Sequence, residues 1–144
     1  MKFSILAVSS FLFSLTSAAA LAQTTLSYDE RYDNAAFPMA STSCSDGENG
    51  LIRKGYTTMG SVPNFPNVGG AFAVEGWNSK NCGACFKVTY ANSGKSIFVT
   101  AVDRANGFNI AKRAMDDLTD GMASQLGRIQ VTWEKATPAQ CKMG

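Results

Sequence analysis

Residues Cys82–Asp103 read CGACFKVTYANSGKSIFVTAVD, and their pattern decides the fold class. Phe86, Val88 and Tyr90 alternate with Lys87 and Thr89, the period of a strand with one buried face. Asn92-Ser93-Gly94 supplies turn chemistry, and Ser96 to Val102 resumes β-rich sequence, so the stretch predicts a hairpin. Downstream, Arg128–Glu134 alternates again with Ile129, Val131 and Trp133 on one face, and upstream Leu26–Tyr28 predicts a short opening strand. Asp46–Gly83 is rich in Gly, Pro and Asn and reads as loops, with helical turns at Leu51–Lys54 and Ala71–Glu75. Val62–Asn67 must be extended or turning, because residues before Pro63 and Pro66 avoid helical geometry. One helix is expected: Asn109 caps it, Ile110, Ala111, Ala114, Met115 and Leu118 form its apolar stripe, and Gly121 stops it. Several short strands with few helices point to a mainly β protein, a barrel carrying helices on its surface.

The quoted stretch opens with two of the four cysteines, Cys82 and Cys85; the others are Cys44 and Cys141. A redox pair would place the second cysteine inside a helix, but Cys85 opens a β-rich run. A four-cysteine zinc site wants two close pairs, and Cys44 and Cys141 stand alone. Two structural disulfides are expected, with three connectivities open. Pairing each motif cysteine outward closes long loops, worth about 4 kcal/mol each in the chain-entropy model.

An exported context fits this reading. Lys2, the mostly apolar Phe3–Leu15 and the small-x-small site Ala20-Leu21-Ala22 predict a signal peptide over residues 1–22. The domain is then 23–144, with no membrane span expected in it. The chain holds no histidine, which removes the usual general base at neutral pH and the commonest metal ligand. Serine-triad hydrolases, Cys-His proteases and ordinary zinc hydrolases are therefore disfavoured, and no metal or cofactor is expected. A formal net charge of +2 gives no electrostatic case for nucleic acid.

Acid–base work would fall to carboxylates, and a glycosidase needs two of them flanking a sugar bond. Asp103 shares its parity with Ile97, Val99 and Ala101, placing it where a buried strand opens to water beside Arg104, Asn106 and Gly107. The plainer alternative is an aspartate that initiates the Asn106-Gly107 turn. Cys44-Ser45-Asp46-Gly47, continuing through Asn49 and Gly50, is a second polar cluster, readable equally as a turn before a short helix. Asp46 is the only second acid to nominate. Tyr28, Tyr32, Tyr56 and Trp77 are candidates for stacking on sugars, while Phe72, Phe86, Phe98 and Trp133 are assigned to the core.

Taken in order, these segments resemble one family. They are Ser27-Tyr28-Asp29 with Tyr32-Asp33, then Cys44-Ser45-Asp46-Gly47-x-Asn49-Gly50-Leu51-Ile52 and Pro63-x-Phe65-Pro66-x-x-Gly69-Gly70. Gly76-Trp77-Asn78-Ser79-x-x-Cys82-Gly83-x-Cys85, Asp103, Gly107-Phe108-Asn109-Ile110, Leu126-Gly127-Arg128 and Cys141 complete the set. The pattern is similar to the cerato-platanins, small secreted proteins of filamentous fungi, and covers essentially all of 23–144; Phe86 departs from it, standing where many relatives have Trp. The resemblance implies a six-stranded double-psi β-barrel with short helices and the pairs Cys44–Cys82 and Cys85–Cys141. It implies a non-catalytic protein, secreted to the extracellular space and fungal cell wall. Such a protein would bind chitin (N-acetylglucosamine) oligomers in a shallow groove of Tyr28, Asp46, Gly47, Asn49, Gly50, Asp103 and Asn109. Further implied properties are expansin-like loosening of cellulose, self-association at interfaces, and elicitation of plant defence through a host receptor. The alternatives are a weak glucan hydrolase using Asp103, and a surface-active or receptor-recognised protein in which apolar segments such as Val62–Val68 are exposed.

Overall fold

The computed structural model describes Ser10 and residues 21–144. The leader expected over residues 1–22 therefore lies almost wholly outside the described residues. Six strands close into a barrel: β1 (Ala22–Tyr28), β2 (Val68–Ala71), β3 (Cys85–Tyr90), β4 (Lys95–Arg104), β5 (Phe108–Ile110) and β6 (Arg128–Ala136). Their order around the ring is β1-β5-β2-β4-β3-β6. This is the six-stranded barrel the resemblance implied.

The predicted hairpin is β3–β4, antiparallel with Cys85 opposite Thr100 and Tyr90 opposite Lys95. In β6, Ile129 and Val131 are buried and Trp133 packs on the core. Leu26, Val88, Val99, Phe108, Ile110, Met115 and Leu118 are fully buried. Each such side chain contributes about 1.5–3 kcal/mol by leaving water. Phe86, Phe108 and Trp133 form an edge-to-face cluster with Phe72, whose ring lies 4.9 Å from Trp133. Phe72, assigned to the core, stays partly exposed at its rim.

Three local expectations fail for physical reasons. The segment Ala71–Glu75 is not helical: Ala71 ends β2, whose Val68-Gly69-Gly70-Ala71 sequence carries no strand alternation. Those glycines answer to close backbone approach. A Cβ on Gly69 would lie 2.4 Å from the Asn109 carbonyl oxygen, and one on Gly70 would lie 2.8 Å from the Ala105 Cβ and 2.9 Å from the Arg104 carbonyl oxygen. The β4–β5 connection crosses over β2 at this point, because both strands flank it. The helix starts later than expected: α1 spans Lys112–Leu118, and Asn109 belongs to β5. Its cap comes from a distance, since Asp33 Oδ2 accepts the Lys112 N–H at 2.7 Å and Asp33 Oδ1 the Arg113 N–H at 2.9 Å. Those donors are the unsatisfied amides of a first helical turn. Gly121 ends α1 as expected, its N–H reaching the Asp116 carbonyl at 2.8 Å with φ +83°. A one-turn helix, α2 (Ala123–Leu126), follows. Finally, Val62–Val68 is no exposed apolar segment: Val62, Asn64 and Val68 are buried.

Two disulfides, Cys44–Cys82 and Cys85–Cys141, close loops of sequence separation 38 and 56. The first ties the loop region to the approach to β3. The second ties the start of β3 to the 3-10 turn Pro138–Cys141. No described helix is long and apolar enough to cross a membrane.

Candidate functional site

Strand register gathers four positions into one row. Ser27 of β1 faces Asn109 of β5, Asn109 faces Gly70 of β2, and Gly70 faces Asp103 of β4. Side chains alternate along a strand, so with Phe108 and Ile110 buried, Asn109 points outward. The Ser27 hydroxyl donates to Asn109 Oδ1 at 3.1 Å. Asp103 and Asn109 sit two strand spacings apart, roughly 10 Å, on either side of the crossover above Gly70. Tyr28 falls on the other face with Leu26, half-buried, its ring 6.0 Å from the Lys112 ammonium.

Asp103 commits both oxygens to the protein. Oδ1 accepts the backbone N–H of Ser43 and of Arg104, each at 2.9 Å, and Oδ2 accepts the Tyr32 hydroxyl at 2.8 Å. These partners differ from those of an aspartate serving the Asn106-Gly107 turn. Tyr32 itself is buried, which removes it from the stacking candidates. Burial, and then the Asp103 charge and hydrogen bond, push the Tyr32 phenol far above its ordinary value, so it stays a donor to the carboxylate.

The second cluster is built by the Cys44–Cys82 bond, which lays residues 44–50 against 76–82. Gly47 turns the loop at φ +88°, where a Cβ would strike the Asn78 side chain at 2.8 Å. Gly50 follows, its N–H on the Gly47 carbonyl at 3.1 Å. Asn49 docks on Asn78 twice: its N–H donates to Asn78 Oδ1 at 2.8 Å, and its side-chain amide to the Asn78 carbonyl at 3.0 Å. Beside this tie, the Trp77 indole N–H donates to Asp46 Oδ1 at 2.7 Å. Trp77 is 64% exposed, so its orientation is set by a hydrogen bond while its face remains in water. That bond, then bonds from the Asp46 backbone and the Ser45 hydroxyl, hold the exposed Asp46 carboxyl below its ordinary value.

The structure thus brings Asp46, Gly47, Asn49 and Gly50 together, and Asp103 with Asn109 along a neighbouring row, while Tyr28 belongs to neither cluster. The two clusters are linked through Ser43, whose N–H binds Asp103 three residues before Asp46, at most about 11 Å of chain away. Sequence reading named Trp77 as one stacking aromatic among four, quoted Trp77 and Asn78 within a matching segment without giving Asn78 a role, and missed Ser43. Their partners lie 29 and 60 residues away, beyond any local pattern. Chemically, the loop face offers an anionic acceptor, amide groups and a fixed indole plane. The Asp46 carboxyl is held below its ordinary value, and all three hydrogen bonds of Asp103 are accepted from protein donors. Among the described residues, no group of three or more Cys, Asp or Glu side chains gathers to hold a metal ion.

Residues 24–143 match the sequence profile described as cerato-platanin. The chain is 61% identical over 142 residues to the Allergen Asp f 15 homolog of Arthroderma benhamiae, covering 98% of this chain and 69% of that protein. Its fold superposes on the crystal structure of cerato-platanin 1 from M. perniciosa with a TM-score of 0.79 at 47% identity, covering 82% of this chain and 98% of the other. The solution structure of the fungal elicitor cerato-platanin matches with a TM-score of 0.74 at 40% identity, over 81% and 95% of the two chains. Profile, sequence and fold agree, and the chain belongs to the cerato-platanin family.

Proposed function

We propose that this is a secreted, non-catalytic fungal protein that binds chitin oligomers on the open face joining the Asp46–Trp77 cluster to Asp103. The observation that carries this reading is the exposed Trp77 ring, fixed through its N–H by Asp46 beside the Asn49–Asn78 tie. Pyranose rings present an apolar face to such a plane, and their hydroxyl and acetamido groups suit Asp46, Asn49 and nearby amides. The face is shallow, so affinity falls on the order of micromolar to millimolar. Of the residues expected from sequence, Asp46, Gly47, Asn49 and Gly50 shape this surface. Asp103 and Asn109 border it and Tyr28 lies to one side. Titrating an N-acetylglucosamine tetramer by NMR tests the proposal. Shifts centred on the Trp77 indole, Asn49 and Asn78 are expected, and none at millimolar sugar would overturn it.

The hydrolase alternative fares worse on chemistry. A general acid must carry a proton at working pH. Asp46 is held ionised, and Asp103 accepts three internal hydrogen bonds. Glucan incubated with the protein is expected to release no reducing sugar. A recognition role is a second reading, supported by similarity to a protein described as a fungal elicitor. Under it the protein acts in the extracellular space or wall, where a plant receptor reads its surface. Self-association at interfaces and loosening of cellulose are compatible with the exposed Phe72, Trp77, Met122 and Leu126.

A further inference from the structure

A second concavity, of about 310 Å³, lies where the two disulfides meet. Its floor is the segment Cys82–Cys85, held at both ends by buried sulfurs. Its walls come from chain segments distant in sequence. Lys54 and Tyr56 come from the turn after Leu51, Lys80 from the loop before Cys82, and Lys135 from β6, with the C-terminal residues tethered by Cys141 closing the side. No Asp or Glu side chain lines it. None of the three lysines lies in an ion pair among the described residues; the ion pairs use Arg31, Lys95, Lys112 and Arg113 instead. Glu134, next to Lys135, points to the other side of β6, opposite Lys87. Even with an α-carboxylate on Gly144, three ammonium groups leave the pocket net positive.

A near-neutral chain has thus placed three lysines, none in a close ion pair, around one disulfide-braced hollow. Like charges gathered this way repel one another, and an anion relieves the repulsion. The volume suits one or two sugar rings rather than an extended polymer. Tyr56, half-buried beside the lysines, supplies a ring face. Lys80 also borders the concavity of about 420 Å³ next to Trp77, which Glu75 lines as well, so Lys80 stands between the two hollows and Lys54 and Lys135 belong to this one alone.

We infer that Lys54, Lys80 and Lys135 with Tyr56 form a site for a carboxylate-bearing saccharide, a hexuronate unit whose charge the lysines neutralise. This site is separate from the neutral-sugar surface and stands without it. The lysines act as point charges rather than as a bidentate fork, so recognition is of charge more than of exact geometry.

The test uses the full disulfide-bonded chain, a hexuronic acid trimer as probe and its carboxyl-reduced neutral analogue as control, followed by NMR. The expected result is saturable shifts at Tyr56, Lys80, Gly83 and Lys135 with the charged trimer only, weakening as salt rises. Lys54→Gln and Lys135→Gln each weaken binding about two- to fivefold, and the pair about tenfold. Both lysines are exposed, so these variants keep the parent melting temperature. Titration of the double variant with the N-acetylglucosamine tetramer leaves the Trp77 surface unchanged, which separates this site from that one. Equal binding of the neutral analogue overturns the inference, as does absence of shifts at millimolar trimer. Inorganic sulfate matching the trimer in affinity and shift pattern overturns the saccharide assignment and leaves a simple anion hole.

Discussion

At the end of β4, Asp103 gives both oxygens to the protein itself, whereas Asp46, on the loop face, gives one oxygen to an indole that stands in water. Both are aspartates in polar surroundings, and a sequence-level search for catalytic acids treats them alike. Their environments assign them opposite tasks. Asp103 pins a buried tyrosine and the start of the Cys44 loop to the barrel wall. Asp46 sets the angle of a surface ring. A carboxylate's role follows from which donors fill its lone pairs, and those donors come from elsewhere in the chain.

The contrast breaks most directly through the cystines, of which Cys44–Cys82 anchors the Asp46 loop and Cys85–Cys141 the start of β3. Each closes a long loop worth about 4 kcal/mol in the chain-entropy model, together comparable with the whole stability of a small domain. Reduction is expected to lower the melting temperature by more than about 20 °C, followed by calorimetry with free thiols counted. An unchanged melting temperature with thiols confirmed free would show that the loops hold without their staples.

Removing the wall carboxylate comes next. Asp103→Ala leaves the Tyr32 hydroxyl without its acceptor and the Ser43 amide without its own, costing about 2–4 kcal/mol in urea denaturation. Asp46→Ala, at an exposed position, is expected to leave the urea midpoint unchanged. Equal losses for the two variants would erase the distinction between them.

Trp77→Ala reverses the ranking. Stability holds within about 0.5 kcal/mol, while binding of the N-acetylglucosamine tetramer falls about tenfold, as expected for a lost aromatic stack.

The smallest effect is a titration. Because the Trp77 indole holds the Asp46 carboxyl below its ordinary value of 3.8, its bond to the indole persists at mildly acidic pH. The sign follows from that depression: the contribution is fully present above the ordinary carboxylate value and is lost as pH falls through the lowered folded value. The Trp77 indole proton resonance is expected to move with a midpoint below 3.8. A midpoint above 4 would mean that the hydrogen bond does not favour the ionised form.

Legibility followed the same division. The hairpin β3–β4 and strand β6 could be read because Phe86, Val88, Ile129 and Val131 alternate with polar residues, and alternation is a local signal. β2 could not be read, since Gly69 and Gly70 answer to a crossing chain, and that crossing belongs to topology. The helix was displaced because Asn109 is a good cap by type, while the actual cap, Asp33, arrives from 79 residues away. Asp46, Asn49 and Gly50 were legible as a cluster. The bonds that make them a surface, to Trp77 and Asn78, depend on a disulfide whose partner spacing alone left open.

The ring of six strands has one more consequence. Among the described residues every strand has a hydrogen-bonded neighbour on each side, so the sheet has no edge strand. Stacking into fibrils by backbone pairing would require prying the cylinder apart first.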